Sequence, residues 1–189
     1  MISINALKQR GWQWIRGADI PKEKRWTATY VINMVCIIWL VLFFAITTFT
    51  SHFKLGLTFH EVKCLEGTGY FIHKSTPDTV ERGDIYAYGA KGMMPLLADG
   101  STVVKIAAGL PGDKVVVNRN GVFINGKKWG SLNPITMSKL HLTNEMVTRE
   151  FVVGQDEVLM MGNLPRSYDG RYIGPVKRSQ LTGRAWKLW

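Results

Sequence analysis

STVVKIAAGLPGDKVVV, residues 101–117, is the stretch on which the fold turns. Written as a strand, it puts Lys105 on one face with Val103 and Ala107, and Val104, Ile106 and Ala108 on the other. Both faces are apolar, as in a strand buried on both sides. A lysine amine stripped of hydration favours its neutral form, and a neutral amine can serve as a general base. An edge strand whose lysine reaches out to solvent would read the same way. The next residues, GLPGD at 109–113, carry two glycines and a proline and form a tight turn directly after the lysine strand.

Working outward, the region around this stretch is β-rich. VVVNRNGVFINGKKW, starting at Val115, is a hairpin signal with Asn120-Gly121 as the expected turn. Apolar runs at 53–59, 84–88, 102–108, 151–161 and 181–188 are expected strands, punctuated by Gly and Pro. Residues 136–148 are the one candidate helix in this part of the chain.

Towards the N-terminus the pattern changes. Residues 28–50, ATYVINMVCIIWLVLFFAITTFT, hold no charge, and Asn33 is their only strongly polar side chain. At about 1.5 Å per helical residue they match a hydrocarbon core of about 30 Å. A cleavable signal peptide would have a shorter apolar core followed by a small-x-small site, so a retained transmembrane anchor is expected. Lys8, Arg10, Arg16, Lys22, Lys24 and Arg25 precede it, against Asp19 and Glu23, whereas only Lys54 follows closely. The positive-inside rule then places residues 1–27 in the cytoplasm as a basic tail, and 51–189 outside as the main domain. Trp12, Trp14 and Trp26 are candidates for the membrane interface.

The chain has 189 residues and a net charge of +10, enough for one domain with a core plus an appendage. The positive charges are dispersed, and no nucleic-acid-binding signature accompanies them, so no nucleic-acid partner is expected. The four histidines are scattered, and neither a metal nor a cofactor is implied. Of the two cysteines, Cys36 lies within the apolar run and Cys64 beyond it, so an anchored chain leaves Cys64 as a single thiol facing outward.

Four segments together resemble the type I signal peptidases, the membrane-anchored serine–lysine peptidases. KIAAGLPGDKV is similar to that family's lysine box. SYDGRYIGPV, residues 167–176, is similar to its Ser-x-Asp-Ser-Arg segment, with Gly170 in place of the second serine. VLMMGN, residues 158–163, is similar to the strand entering that segment, and ERGDIYAY to the Gly-Asp strand that follows the nucleophile. The resemblance covers most of residues 55–189. It implies a mainly β fold: an N-terminal transmembrane helix followed by a β-barrel or sandwich catalytic domain.

The spacing is nearest to the TraF-type pilin peptidases of conjugative transfer, whose nucleophile box reads Ser-Leu/Met-Pro-x-x-x-Tyr. CLEGTGY occupies that place here, with Cys64 where the serine stands, Tyr70 matching the tyrosine and Glu66 replacing the proline. Ser51 and Ser75 are rival nucleophiles. Ser51 lies at the anchor's edge, and Ser75 lacks a tyrosine at the matching offset. A small buried cysteine, or a Cys64–His60 pair, would be other readings of the thiol. The resemblance assigns Lys105 as the proton carrier, Ser167 as the residue that orients it, and Asp169 with Arg171 as a supporting ion pair. It also gives the Cys64 backbone N–H to an oxyanion hole. Val62 stands where many members supply a second hydroxyl donor.

A thiol is a stronger acid than a serine hydroxyl, and a nearby cation favours its anion, so thiolate and ammonium are the expected resting pair. The resemblance thus implies a peptidase of the bacterial inner membrane with a periplasmic catalytic domain. Its partners would be a membrane-inserted pilin or other preprotein, the lipid bilayer and conjugation-apparatus proteins. A thioester intermediate is receptive to amines, so pilin cyclisation is an expected alternative to hydrolysis. A general signal peptidase I and an inactive pilus-assembly scaffold are the competing readings.

Overall fold

The computed structural model describes residues 22–57 and 64–189, with side chains from residue 27 onward. The basic tail before Lys22, the side chains of Trp12, Trp14 and Trp26, and both His60 and Val62 lie outside the described residues. Contacts divide the chain into Met1–Thr50 and Ser51–Trp189.

In the first unit, helix α1 begins at Lys22 and its assignment runs on to His52. No proline or glycine interrupts that span. Thr47 and Thr50 donate their hydroxyls back to the Phe43 and Ile46 carbonyls at 2.9 Å, which satisfies both on an otherwise apolar surface. Trp39, Leu40, Phe43 and Phe44 are each 70% exposed. Among the described residues this is the one helix long and apolar enough to cross a membrane, over the 26 residues Thr27–His52, as a membrane span or a signal sequence would be.

The second unit is mainly β, as expected. Its strands are β1 (Phe53–Leu57), β2 (Gly69–His73), β3 (Ile85–Gly89), β4 (Thr102–Gly109), β5 (Lys114–Asn118), β6 (Gly121–Ile124), β7 (Lys127–Gly130), β8 (Arg149–Val152), β9 (Glu157–Met161), β10 (Val176–Lys177) and β11 (Leu181–Lys187). A seven-stranded sheet runs β1-β2-β11-β3-β4-β9-β10, and a four-stranded sheet runs β7-β6-β5-β8. Neither closes into a barrel. The larger sheet ends on β1 at one side and on the two-residue β10 at the other.

β4 lies inside the larger sheet, between β3 and β9, so Lys105 is on an interior strand and not on an edge. Val103, Lys105 and Ala107 form its more deeply buried face. Strand β9 is buried on both sides. Val158 and Met160 join Tyr86, Tyr88 and Leu181 in one core, while Leu159 and Met161 join Val115, Val117 and Val122 of the smaller sheet in another. That double burial is why VLMM reads as a continuous apolar run.

Three local expectations shift. The β5–β6 turn is Arg119-Asn120, one residue earlier than expected, because Asn118 pairs with Gly121. Gly121 has φ +127°, and a Cβ there would overlap the Gly130 carbonyl, so this glycine serves the strand pairing and not the turn. The apolar run 151–161 is two strands. β8 pairs with β5 and β9 with β4, so the chain changes sheets between them, around Gly154. The candidate helix 136–148 is two short helices, α2 (Pro134–Lys139), capped by Asn133, and α3 (Asn144–Val147), capped by Thr143. His141, with φ +53°, stands between them.

Candidate active site

Lys105 is 1% exposed, and its Nζ donates to Ser167 Oγ at 2.9 Å. Strand β4 supplies the lysine. The serine comes from the loop that leaves β9 just before α4 (Gly170–Ile173). Ser167 is itself fully buried, so the bond fixes the amine with little freedom.

The serine loop is braced from behind. Asp169 and Arg171 are both buried, with Arg171 Nε 2.8 Å from Asp169 Oδ1. Asp169 also caps α4 by accepting from the Arg171 N–H at 3.1 Å, and it accepts from the Gly162 N–H at 2.7 Å. The Arg171 guanidinium donates further to the carbonyls of Gly162 and Ser131. Trp129, on β7 of the other sheet, adds an indole N–H to the Gly162 carbonyl at 3.1 Å. A buried arginine whose donors are this fully used is compatible with its charge.

Cys64 is half-buried in the bend between β1 and β2. Its carbonyl accepts from the Leu164 N–H at 3.4 Å, which holds it against the same loop that carries Ser167. Cys64 and Lys105 line one cleft of about 740 Å³. Strand β1, Tyr70 and Ile72 of β2, Thr102 to Val104 of β4, Ile135 and Thr136 of α2, and Tyr168 complete most of its wall. A largely apolar cleft with a few convergent polar groups is the ordinary form of a ligand site.

Two phenols report the surroundings. Burial pushes Tyr70 above its usual value, and the Cys64 and Glu66 charges add to this. The Tyr70 hydroxyl donates to the Glu66 carbonyl at 3.2 Å, which ties the cysteine bend to β2. Tyr88 is pushed up further, by burial first and then by Asp169, Cys64 and Tyr168.

The rival serines stand elsewhere. Ser51 and Ser75 are exposed, and neither lines the cleft. Sequence reasoning passed over Tyr168, although it adjoins Ser167 in the same motif. It also passed over Trp129 and Lys139, whose positions depend on long-range packing with no local signal, and used Lys54 only as a flank of the apolar run.

The chain is 32% identical over 111 residues to a probable signal peptidase I-2 of Synechocystis sp., covering 58% of this chain and 48% of that protein. It is 34% identical over 109 residues to the plasmid transfer protein TraF of Escherichia coli, covering 55% and 56%. Among solved structures, a signal peptidase I from Enterococcus faecalis is 30% identical, with a TM-score of 0.35, covering 57% of this chain and 97% of that one. The chain thus spans about half the length of the curated relatives it matches. The profile described as "Signal peptidase, peptidase S26" matches residues 27–189. With that match running from the apolar helix to the last residue, the chain belongs to the signal peptidase family of S26 peptidases.

Proposed function

We propose that this chain is a membrane-anchored endopeptidase that cleaves a membrane-inserted pilin precursor, with Cys64 as nucleophile, Lys105 as proton carrier and Ser167 orienting the lysine. The observation that carries this reading is the Lys105 amine, buried, bonded to Ser167 and opening on the cleft that Cys64 lines. The apolar helix would anchor the chain in a bacterial inner membrane, with the basic tail in the cytoplasm and residues 51–189 in the periplasm. The TraF relative, a plasmid transfer protein, supports conjugation as the setting.

In the first step the Cys64 sulfur attacks the scissile carbonyl carbon, and its proton resides on Lys105. The tetrahedral intermediate collapses as the C–N bond breaks. Lys105 returns the proton to the leaving amine, and a thioester remains on Cys64. The Cys64 backbone N–H stabilises the oxyanion. Water then attacks the thioester while Lys105 takes its proton, and the thiol is regenerated. An amine of the precursor in place of water would close a peptide bond and release a cyclic pilin.

Asp169 and Arg171 hold the Ser167 loop in place and take no part in the proton transfers. A second reading, a signal peptidase of broad substrate range, is favoured by the similarity to the Synechocystis protein. It differs in that deletion of the gene would impair many secreted proteins.

The test is co-expression of the full chain with candidate pilin precursors, read by intact mass. The wild type should yield a shortened product, Cys64→Ala and Lys105→Ala should leave the precursor uncut, and Cys64→Ser should retain partial cleavage. Normal maturation by Cys64→Ala would refute Cys64 as the nucleophile, and a precursor left uncut by the wild type, with transfer intact in Cys64→Ala, would leave the chain as an assembly scaffold. A mature product heavier by one water than the cyclic form would exclude aminolysis.

A further inference from the structure

The cleft carries a charge pattern that the peptide-bond chemistry does not use. Besides Lys105, the side chains of Lys54, Lys139 and Arg166 line it, and no acidic residue does among the described residues. All three are exposed, and none forms an ion pair among the described residues. Glu66, two residues after Cys64, is exposed but does not line the cleft.

The three cations come from separate elements, so no local run of basic sequence produces the convergence. Lys54 is on edge strand β1, and its Nζ donates to Thr102 Oγ1 at 3.0 Å, which holds it over the β4 side of the cleft. Lys139 is the last residue of α2. Arg166 immediately precedes Ser167 in the chain and lines the same cleft as Lys105. Apolar walls between them lower the local dielectric and focus a positive potential into the cleft. A neutral segment lying there would cover cations without replacing their hydration, which is unfavourable. An anionic segment supplies the missing partners.

We propose that Lys54, Lys139 and Arg166 form a specificity rim that selects a precursor with an acidic side chain within a few residues of the scissile bond. The proposal rests on the peptidase reading above and narrows its substrate class. The rim acts on substrate choice, while the Cys64–Lys105 chemistry is common to all substrates.

The test uses the full chain in zwitterionic micelles and short quenched peptides with small residues before the scissile bond, flanked by Glu, Gln or Lys. Binding is read by anisotropy on the Cys64→Ala chain, and cleavage on the chain with Cys64 intact. The Glu peptide should bind about fivefold more tightly than the Gln peptide, and the Lys peptide more weakly than either. The difference should shrink between about 0.05 and about 0.5 M salt. Lys54→Gln, Lys139→Gln and Arg166→Gln, at exposed positions that folding tolerates, should each erode the preference, and the triple charge reversal to Glu should invert it. Equal binding of the three peptides, or a preference untouched by these substitutions, would overturn the proposal. So would substitutions that weaken sedimentation with phosphatidylglycerol vesicles while leaving peptide preference intact, because the rim would then serve lipid headgroups. A charge preference in binding without cleavage of any peptide or precursor would refute the peptidase reading alone and leave the rim standing.

Discussion

Gly162 leaves no room for a side chain beside Ser167: a Cβ at 162 would overlap both the Ser167 hydroxyl and the Cys64 carbonyl oxygen. The glycine is therefore the point where the lysine's partner and the cysteine bend meet. Gly162→Ala is expected to push these two apart and lower kcat by about a hundredfold, since misplacement by about 1 Å is enough for such a loss. Cleavage of a pilin precursor or peptide by the purified variant checks this. A folded variant of undiminished activity would show that Cys64 and Ser167 need not sit this close.

The Lys105–Ser167 bond should show as a strong coupling in stability. Ser167→Ala leaves a buried amine without its hydrogen-bond partner and should cost about 1–3 kcal/mol. In a Lys105→Met background the same substitution removes an orphaned hydroxyl instead and should be neutral or stabilising. Urea unfolding of the two single variants and the double variant gives the coupling directly. Additive costs would contradict a direct bond.

Arg171 is expected to be irreplaceable for folding. Its guanidinium reaches Asp169, the Gly162 carbonyl and the Ser131 carbonyl at once. Arg171→Ala strands a buried carboxylate and should destabilise by about 3–5 kcal/mol. Arg171→Lys should recover little of this, because an ammonium cannot span the same three acceptors. Thermal melts of both variants decide it.

Both relationships were visible in the sequence. Lys105 stood out because a charge in the middle of VVKIAA conflicts with two apolar faces, and Ser167, Asp169 and Arg171 were legible because residues 167–176 resemble one short family segment. Short-range conflicts and short-range motifs survive in a linear reading. Trp129 reaching Gly162 from the other sheet does not, and neither does the convergence of Lys54, Lys139 and Arg166, because both arise only when strands distant in sequence pack. The run 151–161 misled for a related reason. Burial in either sheet produces the same apolar pattern on both sides of the crossing, which is marked by Gly154 and the polar Gln155-Asp156 that follow it. The sequence left barrel and sandwich both open, because nothing local to β1 or β10 reveals whether the two edges meet.

Acid should loosen the turn that follows the lysine strand. Burial pushes the Asp113 carboxyl up, but hydrogen bonds from Arg82, the Leu110 N–H and Asn125, with the Arg82 charge, outweigh it and hold the pKa below the usual 3.8. A depressed carboxylate contributes stability that is fully present above the unfolded value and is lost as pH falls through the folded one. Asp113→Asn should therefore be clearly less stable than wild type at neutral pH, and the gap should narrow as the pH drops below about 4. A gap that stays constant down to acid unfolding would contradict this.

Tyr88 runs the other way. Its hydroxyl is buried on β3 without a hydrogen-bond partner among the described residues, although the ring packs in the core with Met160 and Leu181. An unpartnered buried hydroxyl costs about 1–3 kcal/mol, so Tyr88→Phe keeps the packing, removes the cost and should raise the Tm. The phenol's pKa lies above the usual 10.0, through burial first and then the charges of Asp169, Cys64 and Tyr168. The folded state then holds this proton more tightly than the unfolded chain does, so its contribution is complete below about pH 10 and drains away as pH rises above it. Wild type should accordingly lose stability at alkaline pH faster than Tyr88→Phe, and the advantage of the variant should widen there. Melting curves of the two proteins from neutral to strongly alkaline pH test both claims together. A variant less stable than wild type at neutral pH would mean that the hydroxyl is held by a favourable contact, and the account of this core would have to be redrawn around it.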